Sequence, residues 1–261
     1  MKNIIFSLSV LCLLISCKEN KQPVERRYPG MASLEFKGDP HLVEMLNYII
    51  DSSGNLVPDS VHSELGEWKE GYLRSYTEVD SGKKNKVIAS YSYFENGMDR
   101  SMGINLNGKL IDSGESIINA KGELIAINHY DSTGKISYFS THKPPNECDE
   151  STSGKFYRPD SSLLYEYVKS FQEGINVKFI SIDSSGKMDY SYTAELDGDN
   201  NVIEAIHATI TKDSVKTFIK KYSYKDYDHL KNWQHRTELN ARGVPIKVTK
   251  RKITYATKLA I

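Results

Sequence analysis

Ile175-Asn176-Val177-Lys178-Phe179 alternates apolar and polar residues, and beyond Asp183-Ser184-Ser185-Gly186-Lys187 the alternation resumes as Met188-Asp189-Tyr190-Ser191-Tyr192-Thr193-Ala194-Glu195. A period of two puts successive side chains on opposite faces of a strand, so this stretch reads as two antiparallel strands with one covered and one wet face. The intervening turn carries its own chemistry. An Asx carboxyl accepts a bond from the backbone two residues on, and Gly supplies the left-handed conformation that a tight reversal needs.

The same turn recurs as Asp51-Ser52-Ser53-Gly54-Asn55-Leu56 and Asp131-Ser132-Thr133-Gly134-Lys135-Ile136. Looser copies are Asn119-Ala120-Lys121-Gly122-Glu123-Leu124 and Asn240-Ala241-Arg242-Gly243-Val244, and Asn107-Gly108 and Asp197-Gly198 add shorter turns. Val202, Ile206, Ala208 and Ile210 share one face of a strand, and Phe218, Tyr222 and Tyr224 share another. The repeat of strand, turn and strand predicts an all-β fold: an antiparallel meander of consecutive β-hairpins, in an extended or rolled sheet, over residues 31–261. Asp39-Pro40 predicts a minor N-terminal helix, with Asp39 as N-cap and Leu42, Val43, Leu46, Tyr48 and Ile49 facing inward. Residues 161–172 suit either a strand or a short helix.

The chain has 261 residues, with 34 Lys+Arg balanced by 34 Asp+Glu, so no net field steers it toward nucleic acid. Tyr, at 17, outnumbers the 8 Phe and 2 Trp together, which suits half-buried strand faces.

The N-terminus reads as an export signal. Lys2 precedes the apolar run Ile4 to Ile15, which is too short to span a bilayer comfortably and ends in Leu14-Ile15-Ser16-Cys17. This resembles the lipobox of bacterial lipoproteins. The resemblance implies a signal peptide at 1–16, lipidation of Cys17 and a lipidated tether at 17–30, with the membrane as a partner reached through that N-terminal lipid. Lys18 follows the cysteine where aspartate would favour inner-membrane retention, so the resemblance implies the outer membrane, the side it faces being left open. Cys12 would leave with the signal, and Cys148 then has no disulfide partner and reads as buried or idle.

Toward the C-terminus, Tyr222, Tyr224, Tyr227 and Asp228 lead to Asn232-Trp233 and Arg236, then to Asn240 and Gly243, and to a basic strand ending in Tyr255. This segment resembles the tyrosine-aspartate (YD, or RHS-like) repeats of bacterial envelope proteins, with Lys231 where that pattern commonly has Gly. The resemblance implies hairpins and no catalytic residues.

No catalytic constellation emerges. The seven His lack metal-ligand spacing, and His229 and His235 flank Asn232-Trp233 without a third ligand. Asp197, Asp199, Asn200 and Asn201 are rich in oxygen, but Glu204 is too close for a calcium loop of EF-hand type, and a hairpin turn is the better reading. Glu64, Glu67 and Glu70 read as a solvated acidic face. Lys247, Lys250, Arg251 and Lys252 read as protection of an exposed sheet edge. Trp68, Tyr227 and Trp233 are the candidate binding residues, weighed against packing over a hairpin. The expectation is therefore a membrane-anchored envelope lipoprotein acting as a non-enzymatic binding or structural module without cofactor or metal, its partner a protein, glycan or lipid. Two alternatives stand beside it: a periplasmic carrier or chaperone with an apolar half-barrel, and a cell-wall or glycan hydrolase. An apolar cavity larger than a few side chains would favour the carrier.

Overall fold

The computed structural model describes residues 38–256, apart from 39, 70–71, 83, 96–98, 147–150, 173–174 and 212–213. The signal, Cys17, the tether, Glu70 and Cys148 lie outside the described residues.

Among the described residues sixteen strands follow one another. They are β1 (Pro40–Ile50), β2 (Leu56–Lys69), β3 (Tyr72–Asp80), β4 (Lys86–Tyr93), β5 (Asp99–Leu106), β6 (Lys109–Ile118), β7 (Leu124–Asp131) and β8 (Ile136–Asn146). The second half comprises β9 (Ser151–Tyr157), β10 (Leu163–Gln172), β11 (Ile175–Asp183), β12 (Met188–Leu196), β13 (Val202–Ile210), β14 (Val215–Tyr227), β15 (Trp233–Leu239) and β16 (Pro245–Tyr255). Each pairs with its sequence neighbours, and β16 pairs antiparallel with β1, so the sheet closes into a barrel. The expectation of hairpins holds locally, and that of an open or rolled meander is corrected. The deciding contact, Val43 opposite Ile253, joins residues from the two ends of the chain, and no local pattern encodes it.

The predicted N-terminal helix is corrected too: among the described residues no helix occurs, and Pro40–Ile50 is β1. Val43, Met45 and Asn47 are buried while Glu44 and Leu46 are exposed, which is period two. Ladder bonds to β2 on one side and β16 on the other override the local helix signals. Residues 163–172 are likewise a strand. Closure also removes the edge that the basic residues of β16 were expected to protect, because β16 is paired on both sides.

Among the described residues eight connections share one five-residue geometry. In each, the first residue's N–H donates to the carbonyl of the fifth and the fourth residue's N–H donates to the carbonyl of the first: Asp51–Asn55, Asn119–Glu123, Asp131–Lys135, Arg158–Ser162, Asp183–Lys187, Asp197–Asn201, Asp228–Asn232 and Asn240–Val244. The fourth residue always has positive φ, and it is Ser161, Asn200 and Lys231 in three of them and Gly in the rest. The oxygen-rich Asp197 segment is one of these turns, with Asp197 Oδ1 accepting from the N–H groups of Asp199 and Asn201.

The register sorts side chains between two faces. Val43, Met45, Ala89, Tyr167, Ser181, Ala205, Thr249 and Arg251 share the buried, inward face. On the outward face three charge pairs sit directly across the ladder: Lys155 with Glu166 at 2.6 Å, Lys221 with Glu204 at 3.3 Å and Lys252 with Glu44 at 4.0 Å. Each adds a modest cross-strand attraction and presents charge to the surroundings.

Candidate functional site: the aromatic inner wall

An eight-stranded barrel is just wide enough for its own side chains to fill, whereas sixteen strands enclose more space than one inward layer occupies. What coats that layer decides what the lumen can receive. On β1 to β4 it is a packed cluster of Val43, Met45, Trp68 and Leu73, flanked by Tyr76, Tyr91, Tyr93 and Ile253. From β7 to β15 it is an arc of rings.

His129 stacks on Tyr138 at 4.1 Å, Phe156 stacks on Tyr165 at 4.6 Å, and Tyr167 lies parallel to Phe179 at 6.0 Å. Phe179 meets Tyr190, which meets His207, and Tyr192 meets His207 from the same strand. Tyr224 tilts against Trp233 at 5.6 Å. The local cause is the alternation of Tyr165 with Tyr167, Tyr190 with Tyr192 and Tyr222 with Tyr224, which repeats rings on one face at every second residue. Against the β11–β15 part of this arc lies a cavity of about 290 Å³, lined chiefly by Phe179, Tyr190, Tyr192, His207, Tyr222 and Arg236. Phe218, opposite His207 in register, extends the arc and is 57% exposed.

Two histidines of this wall are tied to neighbouring hydroxyls. His142 Nδ1 lies 2.7 Å from the Tyr167 hydroxyl and its Nε2 lies 2.8 Å from Ser140 Oγ. Burial, then the Lys169 charge, pushes His142 down to about 4, so near neutrality the ring is uncharged, and one of the two hydroxyls donates to it while the other accepts. Tyr190 Oη and His207 Nδ1 are 2.7 Å apart, and burial lowers the pKa of His207. Ser140 is fully buried, which keeps its hydroxyl from any substrate despite the neighbouring His.

The residues singled out from sequence are dispersed. Trp68 is buried in the β1–β4 cluster. Trp233 is 1% exposed, with its indole beneath the Arg251 guanidinium at 3.5 Å and its carbonyl accepting from Arg251 Nε at 2.9 Å. Tyr227, opposite Trp233 in register, is 46% exposed. Glu64 receives hydrogen bonds from Asn47 and Tyr76 on the inward face, while Glu67 receives one from Ser75 on the outward face, so the expected acidic face is split. His235 pairs with Asp226 at 2.7 Å, and His229 packs edge-on against Tyr255. No group of three or more His, Cys, Asp or Glu is placed to hold a metal among the described residues. Phe179, Tyr190, Tyr192, His207, Tyr222 and Arg236 escaped notice as a site. Their alternation was visible, but which face turns inward was not.

No family model matches the sequence, and no curated protein matches it. Among solved structures the chain is similar to a porin-like protein from Bacteroides uniformis, with 12% identity over 82% of this chain and 96% of that one and a TM-score of 0.43. It is also similar to a porin-like protein from Bacteroides vulgatus, with 10% identity over 84% and 99% and a TM-score of 0.38. The closed sheet of sixteen strands corrects the reading of the chain as a lipid-tethered YD-repeat module that meets its membrane partner through Cys17. The organising unit is a sixteen-stranded barrel.

Proposed function

We propose that the protein is a ligand-binding barrel of the bacterial cell envelope, a carrier that takes up a small apolar-bodied molecule against its inner wall without chemical conversion. The observation that carries this reading is the arc of rings from His129 to Trp233, with a cavity of about 290 Å³ against its β11–β15 part. Ligand sites are concave and mostly apolar, with a few fixed polar groups, and this wall has that composition. It is close to the hollow-carrier alternative weighed from the sequence, with a closed barrel in place of a half-barrel. The apolar run Ile4 to Ile15 supports export, and the porin-like architecture of the matched structures supports the outer membrane as the address.

A second reading, a pore that crosses the membrane with its strands, is favoured by strand number, since barrels of sixteen to eighteen strands leave an aqueous channel. The outward pairs Lys155–Glu166, Lys221–Glu204 and Lys252–Glu44 argue against it, because Lys facing lipid near the midplane costs about 2–4 kcal/mol.

The test is titration of the full chain, in buffer without detergent, with the neutral fluorophore N-phenyl-1-naphthylamine, alongside conductance recordings in planar bilayers. Saturable, blue-shifted fluorescence and silent bilayers are expected. Absence of saturable binding would overturn the carrier, and stepwise conductance would replace it with the pore.

A further inference from the structure

Several cations of the barrel have a carboxylate partner. Outside, Lys155, Lys221 and Lys252 each face a glutamate across the ladder. On the inner wall Lys220 is satisfied by Glu238 at 3.0 Å. Lys169 and Arg236 differ. The Lys169 ammonium lies 5.0 Å from the Tyr167 ring and 5.7 Å from the Phe179 ring. The Arg236 guanidinium lies 5.5 Å from the Tyr222 ring and 5.2 Å from the Trp233 ring. Neither has a carboxylate within ion-pair distance among the described residues, and the inward carboxylate nearest in sequence to Arg236, Glu238, is engaged by Lys220.

Phe179, Tyr222 and Arg236 line the same cavity; Arg236 stands within its wall, and Lys169 lies beyond the lining, against Phe179. A sheltered cation loses hydration, and ring faces return only part of that loss. A bound anion would return more, since charge-assisted hydrogen bonds are about twice as strong as neutral ones and guanidinium offers a planar fork to an oxyanion. We infer that the cavity selects organic anions: a flat apolar body lies against Phe179, Tyr190 and Tyr222 while Arg236 takes up its carboxylate, sulfonate or phosphate. This inference rests on the proposed carrier function and names its ligand class.

The test pairs two probes of similar body on the full chain, anionic 1-anilinonaphthalene-8-sulfonate and neutral N-phenyl-1-naphthylamine. Arg236→Gln should raise the Kd of the sulfonate about tenfold and leave that of the neutral probe within about twofold. Arg236→Lys, which keeps the charge, should retain sulfonate binding. Near-UV circular dichroism identifies any variant whose ring packing is lost, and the charge-keeping variant then decides. Unchanged sulfonate affinity in Arg236→Gln, or equal loss of both probes from a well-packed variant, overturns the inference. Neutral binding without sulfonate binding to the unaltered chain also overturns it and leaves the carrier standing. Failure of both probes ends both.

Discussion

Thr249 donates its hydroxyl to Asn47 Oδ1 across 2.9 Å, between two fully buried side chains 202 positions apart in the chain. The bond crosses the seam at which β16 meets β1, and it belongs to a network. The Asn47 amide nitrogen donates to Glu64, Glu64 also accepts from the Tyr76 hydroxyl, and the Asn47 carbonyl lies 2.9 Å from His62 Nδ1. A buried network of this kind holds best when every member is satisfied.

Thr249→Val keeps the shape of the side chain and removes the donor. The orphaned Asn47 oxygen should cost about 1–3 kcal/mol of stability. Urea unfolding should show a lowered midpoint, with the Asn47→Leu, Thr249→Val double variant losing less than the sum of the two single variants. Strict additivity would show that the two side chains do not act together.

Lys231 occupies the left-handed position of its turn at φ 63°, where five of the eight turns have Gly. Lys231→Gly should stabilise the protein by about 1 kcal/mol, because Gly enters that region without steric cost. Gly186, at φ 80° with nothing within 4 Å of where a Cβ would stand, tests the same physics in reverse. Gly186→Val should destabilise by about 1 kcal/mol or more through the backbone alone. Equal thermal midpoints for these variants and the parent would contradict the turn geometry.

Gly154 lies beneath Tyr167 on the neighbouring strand. A Cβ there would stand 2.5 Å from the Thr141 carbonyl oxygen and 2.7 Å from the Tyr167 ring. The carbonyl is backbone and cannot turn aside. Gly154→Ala should cost about 1–3 kcal/mol by overpacking and displace Tyr167 from His142. The check is thermal unfolding together with the near-UV tyrosine band, and a wild-type band at wild-type stability would refute the close approach.

Stability should fall as pH drops from about 6.5 toward 4. His142 is held at about 4 in the folded chain, chiefly by burial, and burial also lowers His129 and His207. Within that window the unfolded chain binds protons that the folded chain refuses, so stability rises with pH and is lost on acidification. Urea midpoints at pH 7.5 and 5 measure the difference, and His142→Gln should reduce it. The turn carboxylates Asp51, Asp131 and Asp183, lowered mainly by hydrogen bonds from their own turns, add a further loss below their ordinary value of 3.8.

Much of the local structure was legible because its causes are local. An Asx carboxyl and a left-handed fourth residue make a turn wherever they occur, and alternation around Asp183 marks two strands whatever lies beyond them. One of the eight turns escaped: Ser161 closes a reversal that carries no Gly. The Asp197 turn was expected, but its left-handed residue is Asn200 rather than Gly198. The helix expected after Asp39 failed because Pro40–Ile50 is governed by ladders to residues 56–67 and 247–255, outside any window that a local pattern can read. Trp68 and Trp233 drew attention as rare large rings, yet both are packed away, and Trp233 lies under Arg251, a residue first read as guarding an edge.

The amino-acid order by itself determined the hairpins, their turn residues and the pairing of each strand with the next, since each depends on residues a few positions apart. Only the tertiary structure decided that the ribbon closes and which face turns inward. Alternation is symmetric between the two faces of a strand, and the choice is made when β1 and β16 meet, burying Asn47 against Thr249 and turning the rings of Phe179, Tyr190 and Tyr222 toward a common interior.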